Sequence, residues 1–453
     1  MGKYFGTDGF RGEAGSVLTS EHAFKIGRYL GHYLNAGKEN EQNRARAVIG
    51  KDTRLSSYTL EYAIASGLSS AGVDVYLLHV TTTPSVSYVA TREGFDLGIM
   101  ITASHNPFYD NGIKIIDSNG RKLSEDVTDG IEMYLDAKDD TLGFASGADI
   151  GRICDHYAGR NGYVGRLISS ASGSYKDLKI GLDTANGAAF SIANAVFSAL
   201  GADVYPIHNE PNGLNVNCHC GSTHPESLSK TVKEKGLSLG FAFDGDADRC
   251  IAVDENGDII DGDGILYVLA KRMKRLGKLT PPAIVNTVMS NGGLKASLRV
   301  CGIDVVSTQV GDRFVYECML EKGIALGGEQ SGHVIMRDLS ATGDGILTAI
   351  MLTEEILDTG LTLSKLCQGF TALPQSVCSV RVKDKDMAIK DAELQLLKAD
   401  FLSQNEDLRR LIVRKSGTEP SIRIMAEAEN KDICDKIVAN ICSLLKKRGY
   451  IDV

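Results

Sequence analysis

Phe95-Asp96-Leu97-Gly98-Ile99-Met100-Ile101 runs directly into Thr102-Ala103-Ser104-His105-Asn106-Pro107, and the reading of this junction decides the fold. The first half is short and apolar, the pattern of a strand buried inside a parallel sheet. The second half is a polar corner. Open α/β sheets place their ligand sites just beyond the carboxyl ends of strands, which is where Ser104 falls. Pro107 stops the ladder, and Asn111-Gly112 predicts a tight turn. Ile113-Lys114-Ile115-Ile116 reads as a returning strand, interrupted by a lysine placed to reach back to the corner. Taken alone, a Ser-His-Asn cluster is what many polar loops look like. As neighbours in sequence, Ser104 and His105 are not expected to form a direct side-chain pair. Other stretches of the chain give the corner its weight.

Working outward, the region from Met1 to about Gly151 opens with a glycine-dense turn, Phe5-Gly6-Thr7-Asp8-Gly9-Phe10-Arg11-Gly12. A strand at 47–50, a charged corner Lys51-Asp52-Thr53-Arg54, a helix over 57–71 and a strand over 73–80 follow. This alternation implies a mainly parallel sheet. A second region, to about Val253, repeats the plan, with strands at 178–182, 204–207 and 239–243 and a helix over 188–200. Its last strand ends at Asp244-Gly245-Asp246-Ala247-Asp248-Arg249. A third region, 254–368, carries a helix over 263–276, short strands at 283–288, 305–306 and 324–326, and a helix over 345–357. Its polar loop is Gly327-Gly328-Glu329-Gln330-Ser331-Gly332-His333. The three regions look like copies of one architecture with low residue identity. The last region, 369–453, differs: a strand at 377–382, a helix near 387–402, two strands flanking 414–423, and a C-terminal helix with Ile433, Ile437, Ile441 and Leu444 on one face. The expected fold is therefore three similar α/β domains with mainly parallel mixed sheets (1–151, 152–253, 254–368) and a smaller α+β domain (369–453).

The bulk properties agree. At 453 residues the chain exceeds one ordinary core, and length alone predicts roughly three or four domains. Hydrophobic content of 43% and charged content of 24% are those of a globular protein without a membrane span. Met1 to Gly6 lacks the apolar core of a signal peptide and the hydroxyl residue of an acylation signal. The ten cysteines form no CxxC pair, and Cys218-His219-Cys220 has no second half at zinc spacing. Reduced thiols and a cytoplasmic location are expected. A net charge of −9 argues against general nucleic-acid binding.

Three constellations carry chemistry. Asp244, Asp246 and Asp248 alternate after a strand, and three carboxylates at this spacing can converge on one hard divalent cation, a solvated acidic turn being the plainer alternative. A calcium loop is excluded because Arg249 stands where an EF-hand needs glycine and residues 250–253 read as a strand rather than loop and helix. Three repelling carboxylates on one loop call for a counter-charge, and Mg²⁺ is favoured. Arg414-Lys415-Ser416-Gly417-Thr418-Glu419-Pro420-Ser421-Ile422-Arg423 concentrates positive charge in an acidic chain. Its arginines, hydroxyls and glycine suit a phosphate, although the spacing is not that of GxxxxGK[ST]. Glu329, Ser331 and His333 alternate and would share one side if extended, as sugar hydroxyls require. A glycine-rich turn is the plainer alternative.

Together these stretches resemble the α-D-phosphohexomutases. The family's serine loop matches 102–107, its metal loop 244–249, its sugar loop 328–333 and its phosphate loop 414–423, in the family's order and over essentially the whole chain. Gly6-Thr7-Asp8-Gly9, Pro211-Asn212-Gly213-Leu214-Asn215, Cys220-Gly221-Ser222-Thr223-His224 and Gln330 point to the bacterial branch acting on amino-sugar phosphates. Phe10 and Phe108 depart from the usual isoleucine and tyrosine without removing a functional group.

The resemblance implies domains around a central cleft, the last of them mobile, and phosphate carried on Ser104. It implies one Mg²⁺ held by Asp244, Asp246, Asp248 and an oxygen on Ser104. The implied reaction interconverts glucosamine 6-phosphate and glucosamine 1-phosphate through a sugar bisphosphate that also serves as activator, a step that supplies UDP-N-acetylglucosamine and cell-wall synthesis. His105, Lys114, Arg11, Arg249 and His333 are the implied catalytic side chains, Glu329 and Ser331 the sugar contacts, and Arg414, Ser416, Gly417, Thr418 and Arg423 the phosphate contacts. The expected partner is a small sugar phosphate, with neither nucleic acid nor membrane and with a homodimer as a candidate assembly. A mutase of the same family acting on mannose or glucose phosphates remains open, as does a Mg²⁺-dependent phosphatase with an aspartate nucleophile in the 244 loop.

Overall fold

Strand Leu97–Ile101 is buried at every residue, which explains its unbroken apolar run. Ile99 and Ile101 face a core built with Ile26, Leu30, Ile64 and Leu68 from helices Ser20–Ala36 and Leu55–Ser70. Met100 faces the opposite core, with Val86 and Val89 of helix Thr83–Arg92. Complete burial of one such side chain stabilises by about 1.5–3 kcal/mol. The computed structural model describes residues 3–6, 8–36, 44–404, 407–415 and 421–451.

The first sheet has seven strands in the order Phe5–Gly6, Gly9–Glu13, Asp110–Asp117, Leu97–Ile101, Arg46–Lys51, Asp74–Val80, Ile153–Asp155. The second runs Ile259–Ile260, Cys250–Val253, Leu239–Phe243, Lys179–Asp183, Asp203–Ile207. The third runs Asp304–Thr308, Ala283–Thr287, Leu326–Gly328, Val334–Met336. One feature recurs in all three. A strand paired in parallel on one side (97–101, 239–243, 326–328) pairs antiparallel on the other with the next strand in sequence. The connection between the two is in each case a polar loop: 102–109, 244–249 and 329–333. The architectural repeat expected from sequence is thus one turn used three times.

The chain divides into two compact units, 1–287 with 306–368, and 288–305 with 369–453. In the second unit the sheet Gln375–Arg381, Ser421–Ala428, Leu408–Lys415 is wholly antiparallel. Helix Lys431–Lys447 covers it with Cys434, Ile437, Val438, Ile441 and Leu445, so Leu445 is the buried end of the apolar stripe and Leu444 lies at its margin.

Several expectations need correction. Asn111-Gly112 is no turn but part of strand Asp110–Asp117. The Asn111 amide is buried and donates to Ser56 and Ser57, while a side chain on Gly112 would meet Thr102 O at 2.5 Å. The chain reverses earlier, at 104–109. The helix expected near 387–402 is two helices, Lys385–Lys390 and Ala392–Gln404, because the Asp391 carboxylate caps the N–H groups of Glu393 (2.9 Å) and Leu394 (3.2 Å). The strand placed at 324–326 is Leu326–Gly328.

A buried hydrogen bond ties the second region to the third: Tyr163 donates to Asp344 Oδ2 at 2.9 Å, and Oδ1 caps helix Gly345–Thr359 at Leu347 N, 3.0 Å. Burial pushes the Asp344 carboxyl up to about 6, against the opposing pull of these hydrogen bonds. Its pKa in the unfolded chain is about 3.9, so the native state holds the proton through this interval. The stability it contributes is present below about pH 4 and is lost as pH rises through 6. Asp344→Asn keeps a neutral cap, so its melting temperature relative to wild type should rise between pH 4 and 7 and then level off. An identical difference at pH 4.5 and 7.5 in thermal scans refutes the shift.

Candidate active site

Ser104 occupies the left-handed region, with φ of 52°, a costly conformation for a residue with a side chain. The surroundings impose it. Arg54 is completely buried, and its guanidinium donates to the carbonyls of Ser104 (3.0 Å), Asn106 (2.8 Å), Pro107 and Asp110 (3.0 Å). Asp52 orients it from Nε at 2.7 Å and also accepts from Thr102 Oγ1 at 2.7 Å. From the second region, the Asn217 amide donates to the same carbonyls of Ser104 (2.8 Å) and Asn106 (3.0 Å). The turn also presses on Gly245, where a Cβ would meet Ser104 O at 2.5 Å.

The outcome is a serine aimed at the acidic loop. Ser104 Oγ donates to Asp244 Oδ2 at 2.5 Å. Contrary to expectation, Oγ also lies 3.3 Å from His105 Nδ1, because the left-handed turn folds the two adjacent side chains together.

Asp244, Asp246 and Asp248 are all buried, and one oxygen from each lies within 4.8 Å of the others. Lys114 reaches back as expected, and Nζ binds Asp246 Oδ2 (2.6 Å) and Asp248 Oδ2 (3.0 Å). Burial opposes charge on this ammonium, but the two aspartates raise its pKa above the usual lysine value. Lys114 is therefore a counter-charge here. One ammonium does not balance three carboxylates: burial, with the charges of Asp248 and Asp246, pushes Asp244 up to about 8. Asp246 Oδ1 and Asp248 Oδ1 are buried without a hydrogen-bond partner. Orphaned anionic oxygens beside a partly protonated neighbour are what a hard cation satisfies, so the donor set fits a metal.

The other expected side chains converge here too. The Arg249 N–H donates to Asp244 Oδ1 at 3.2 Å, and its Nε lies 3.9 Å from Asp248 Oδ1. Arg249, burial and Arg11 together drive His105 down to about 2, so this imidazole is neutral. Arg11 holds Asp8 at 3.4 Å, while its buried Nε has no partner. Gly343 N–H donates to His333 Nε2 at 3.1 Å, leaving the ring proton on Nδ1, 3.6 Å from Asp248 Oδ1. Burial disfavours a second proton on His333, yet Asp248, Asp312 and Glu329 raise its pKa to about 9. Such a proton displaces the Gly343 contact.

The 329–333 loop is a turn, not an extended segment. Glu329 N–H bonds His333 O at 3.0 Å, and Gly332 adopts φ of 91°. Alternation therefore does not set its side chains. Glu329 receives Gly311 N–H at 3.2 Å, and Ser331 Oγ is buried without a partner. Gln330 donates to Asp261 Oδ2 at 3.2 Å, beside the cap of helix Gly262–Arg275.

In the second unit Arg414 and Arg423 stand directly opposite each other across antiparallel strands. Thr7, Ser416, Gly417 and Thr418 lie outside the described residues.

Sequence reasoning missed Arg54, Asp52, Asn217 and Thr83, whose hydroxyl donates to Asp246 Oδ2 at 2.5 Å. Arg54 had a signal: the charged corner 51–54 also follows a strand, and a buried charge there needs a partner. Asn217 and Thr83 had none, since their partners are far away in the chain.

Known proteins place this geometry. Residues 2–141, 161–257 and 261–373 match alpha/beta/alpha domains I, II and III of phosphoglucomutase/phosphomannomutase, and 379–444 match its C-terminal domain. The chain belongs to this family, the α-D-phosphohexomutases, which are isomerases that transfer a phosphoryl group. Within the family its full-length likeness is to proteins named phosphoglucosamine mutase. That of Lachnospira eligens is 50% identical over 450 residues, 99% of this chain and 100% of the relative. That of Bacillus subtilis is 45% identical over 446 residues, 98% and 99% of the two chains. Among solved structures, a phosphoglucomutase/phosphomannomutase family protein of Burkholderia thailandensis superposes with TM-score 0.79 at 26% identity, covering 98% of this chain and 97% of that one. An Aspergillus fumigatus N-acetylphosphoglucosamine mutase, solved with GlcNAc-6P and magnesium, shares the fold with TM-score 0.64 at 17% identity over 98% and 95%.

Arg54→Lys tests how the serine turn is held. One ammonium cannot serve four diverging carbonyls, and each orphaned acceptor costs about 1–3 kcal/mol. Stability in urea should fall by about 3 kcal/mol or more and turnover by more than tenfold. Unchanged turnover in a folded Arg54→Lys protein removes Arg54 from the positioning of Ser104.

Proposed function

We propose that this chain interconverts glucosamine 6-phosphate and glucosamine 1-phosphate, with Ser104 as phosphoryl carrier. One observation carries the chemistry: Ser104 Oγ is 2.5 Å from a buried aspartate of a three-carboxylate cluster in which Asp246 Oδ1 and Asp248 Oδ1 lack partners. The substrate rests on full-length identity to relatives named phosphoglucosamine mutase.

In this reading phosphoserine 104 gives its phosphoryl group to the free sugar hydroxyl, and the bisphosphorylated sugar turns over. The other phosphoryl group then returns to Ser104. Asp244, Asp246, Asp248 and a phosphate oxygen on Ser104 would hold Mg²⁺, which would supply charge neutralisation at the transferring group. Arg249 and Arg11 add positive charge beside it. His105, 3.3 Å from Oγ, and Lys114 are the candidates for proton transfer and charge stabilisation, with His333 nearby. Glu329 and Ser331 hold sugar hydroxyls. Arg414, Ser416, Gly417, Thr418 and Arg423 hold the phosphate that is not reacting, and so accept the substrate in both orientations. Trace sugar bisphosphate rephosphorylates Ser104 and acts as activator. The proposed setting is cytoplasmic, with a small-molecule substrate, no nucleic-acid or membrane partner, and a homodimer as the candidate assembly. Among the described residues no helix is long and apolar enough to cross a membrane.

The phosphatase alternative is weakened by the geometry of Asp244. Both its oxygens are engaged, Oδ2 by Ser104 and Oδ1 by Arg249 N–H, so Asp244 itself offers no free oxygen as nucleophile.

The deciding experiment follows isomerisation of a sugar-phosphate panel with trace bisphosphate present. Glucosamine phosphates should turn over fastest, with acid-stable phosphate trapped on Ser104; a mannose or glucose phosphate in first place overturns the substrate assignment. Ser104→Ala should retain the fold and lose more than about a thousandfold in turnover. Label trapped as an acid-labile acyl phosphate in that variant points instead to an aspartate. Removing divalent metal with a chelator should abolish turnover, and added Mg²⁺ should restore it. Full activity after chelation contradicts the metal role of the aspartates.

A further inference from the structure

Cys218-His219-Cys220 lacks a second pair of ligands in sequence, but the fold supplies one. Strand Lys179–Asp183 ends at Asp183, and the neighbouring parallel strand Asp203–Ile207 ends one residue before His208. The loop carrying Cys220 returns across both strand ends: Gly221 N–H donates to Asp183 Oδ2 at 3.0 Å. One ligand-type atom from each of Asp183, His208 and Cys220 therefore lies within 4.8 Å of the other two. Zinc takes sulfur at about 2.3 Å and nitrogen or oxygen at about 2.0–2.2 Å. Tetrahedral angles then place ligands about 3.3–3.7 Å apart. The His208 Nδ1 to Asp183 Oδ2 distance is 3.0 Å, so a small outward movement on one side and an inward one on the other suffice.

We propose that Asp183, His208 and Cys220 form a binding site for a borderline divalent transition metal, Zn²⁺, separate from the acidic site at Ser104. The donor set selects the metal: thiolate, imidazole and carboxylate suit zinc, whereas three carboxylates suit magnesium. The carboxylate is already held, since Ala185 N–H fixes Asp183 Oδ1 at 2.9 Å while Gly221 fixes Oδ2. Such outer hydrogen bonds orient a ligand without occupying all its lone pairs. The His208 side chain is 31% exposed, which gives the ion an entry path and a solvent ligand a fourth position. Binding transfers the Cys220 thiol proton to solvent as the metal–sulfur bond forms. The corner is also unusually rich in such groups. It holds three of the nine histidines (His208, His219, His224) and two of the ten cysteines. Its backbone is forced left-handed at Ala185, Asn186, His208, Asn217 and His219. Strain of this density collects where the structure over-determines a site.

A metal here braces the catalytic turn from behind. The loop that ends at Cys220 carries Asn217, whose amide grips Ser104 O and Asn106 O. The loop after Asp183 carries Asn186, whose carbonyl accepts from Thr53 Oγ1 at 2.6 Å.

The test uses the full-length protein with saturating Mg²⁺, titrated with Co²⁺ alone. One equivalent should produce a thiolate-to-metal charge-transfer band and intense visible bands of a tetrahedral ion, and Zn²⁺ should bleach both. Cys220→Ser should abolish the charge-transfer band, and His208→Gln should weaken Co²⁺ binding by more than about tenfold. An unchanged far-UV circular dichroism spectrum and a cooperative melt show that both variants are folded. Asp246→Asn should leave the bands intact. Absence of a charge-transfer band in wild type overturns the site, as does a band that survives Cys220→Ser or disappears instead with Cys218→Ser.

Discussion

Three carboxylates buried beneath one hydroxyl are the constraint on which the rest of the larger unit depends. Asp244, Asp246 and Asp248 repel one another in a medium that screens poorly, and only fixed positive groups make their burial tolerable. Lys114 approaches from the strand paired with that of the serine loop. Thr83 approaches from the start of a helix, and Arg249 from the loop itself. Each comes from a different element, so the cluster locks the first two regions together as it assembles. A site of this kind cannot form in one region alone.

The recurrent turn explains how three regions contribute to one reaction. A parallel strand that hands over to an antiparallel neighbour leaves a short loop at its carboxyl end, where no following helix covers it. In the first region that loop offers a hydroxyl, in the second carboxylates, in the third a carboxylate, a hydroxyl and an imidazole. Backbone hydrogen bonds tie the loops directly: Cys250 N–H to Gly332 O at 3.0 Å, and Gly345 N–H to Ala247 O at 3.0 Å. The glycines follow from this closeness. A Cβ on Gly332 would meet Cys250 O at 2.3 Å, and one on Gly345 would meet Arg249 O at 2.3 Å.

Much of this was legible in sequence because strands buried on both faces and the polar loops after them leave local signatures. The strand before Ser104, the alternation of Asp244, Asp246 and Asp248, and the return of Lys114 were all readable in that way. Contacts set by long-range approach were not. Asn111-Gly112 has the residues of a turn, yet burial of the Asn111 amide and the proximity of Thr102 O keep it in a strand. Alternation at 329–333 predicts a shared side, but a positive φ at Gly332 closes the loop instead. Arg54 and Asn217 grip the serine turn through backbone carbonyls, an interaction with no residue pattern of its own.

The two titratable neighbours of the reacting centre show how environment divides labour. His105 and Lys114 come from one loop and the strand after it, and both feel Arg11. Arg249 and burial strip His105 of its proton, whereas Asp246 and Asp248 fasten a proton to Lys114 against burial. Opposite environments thus leave two neighbouring side chains in opposite charge states. The result is a neutral imidazole 3.3 Å from Ser104 Oγ and a fixed ammonium on the carboxylates, so positive charge is held beside the acidic loop while the hydroxyl's other neighbour stays uncharged.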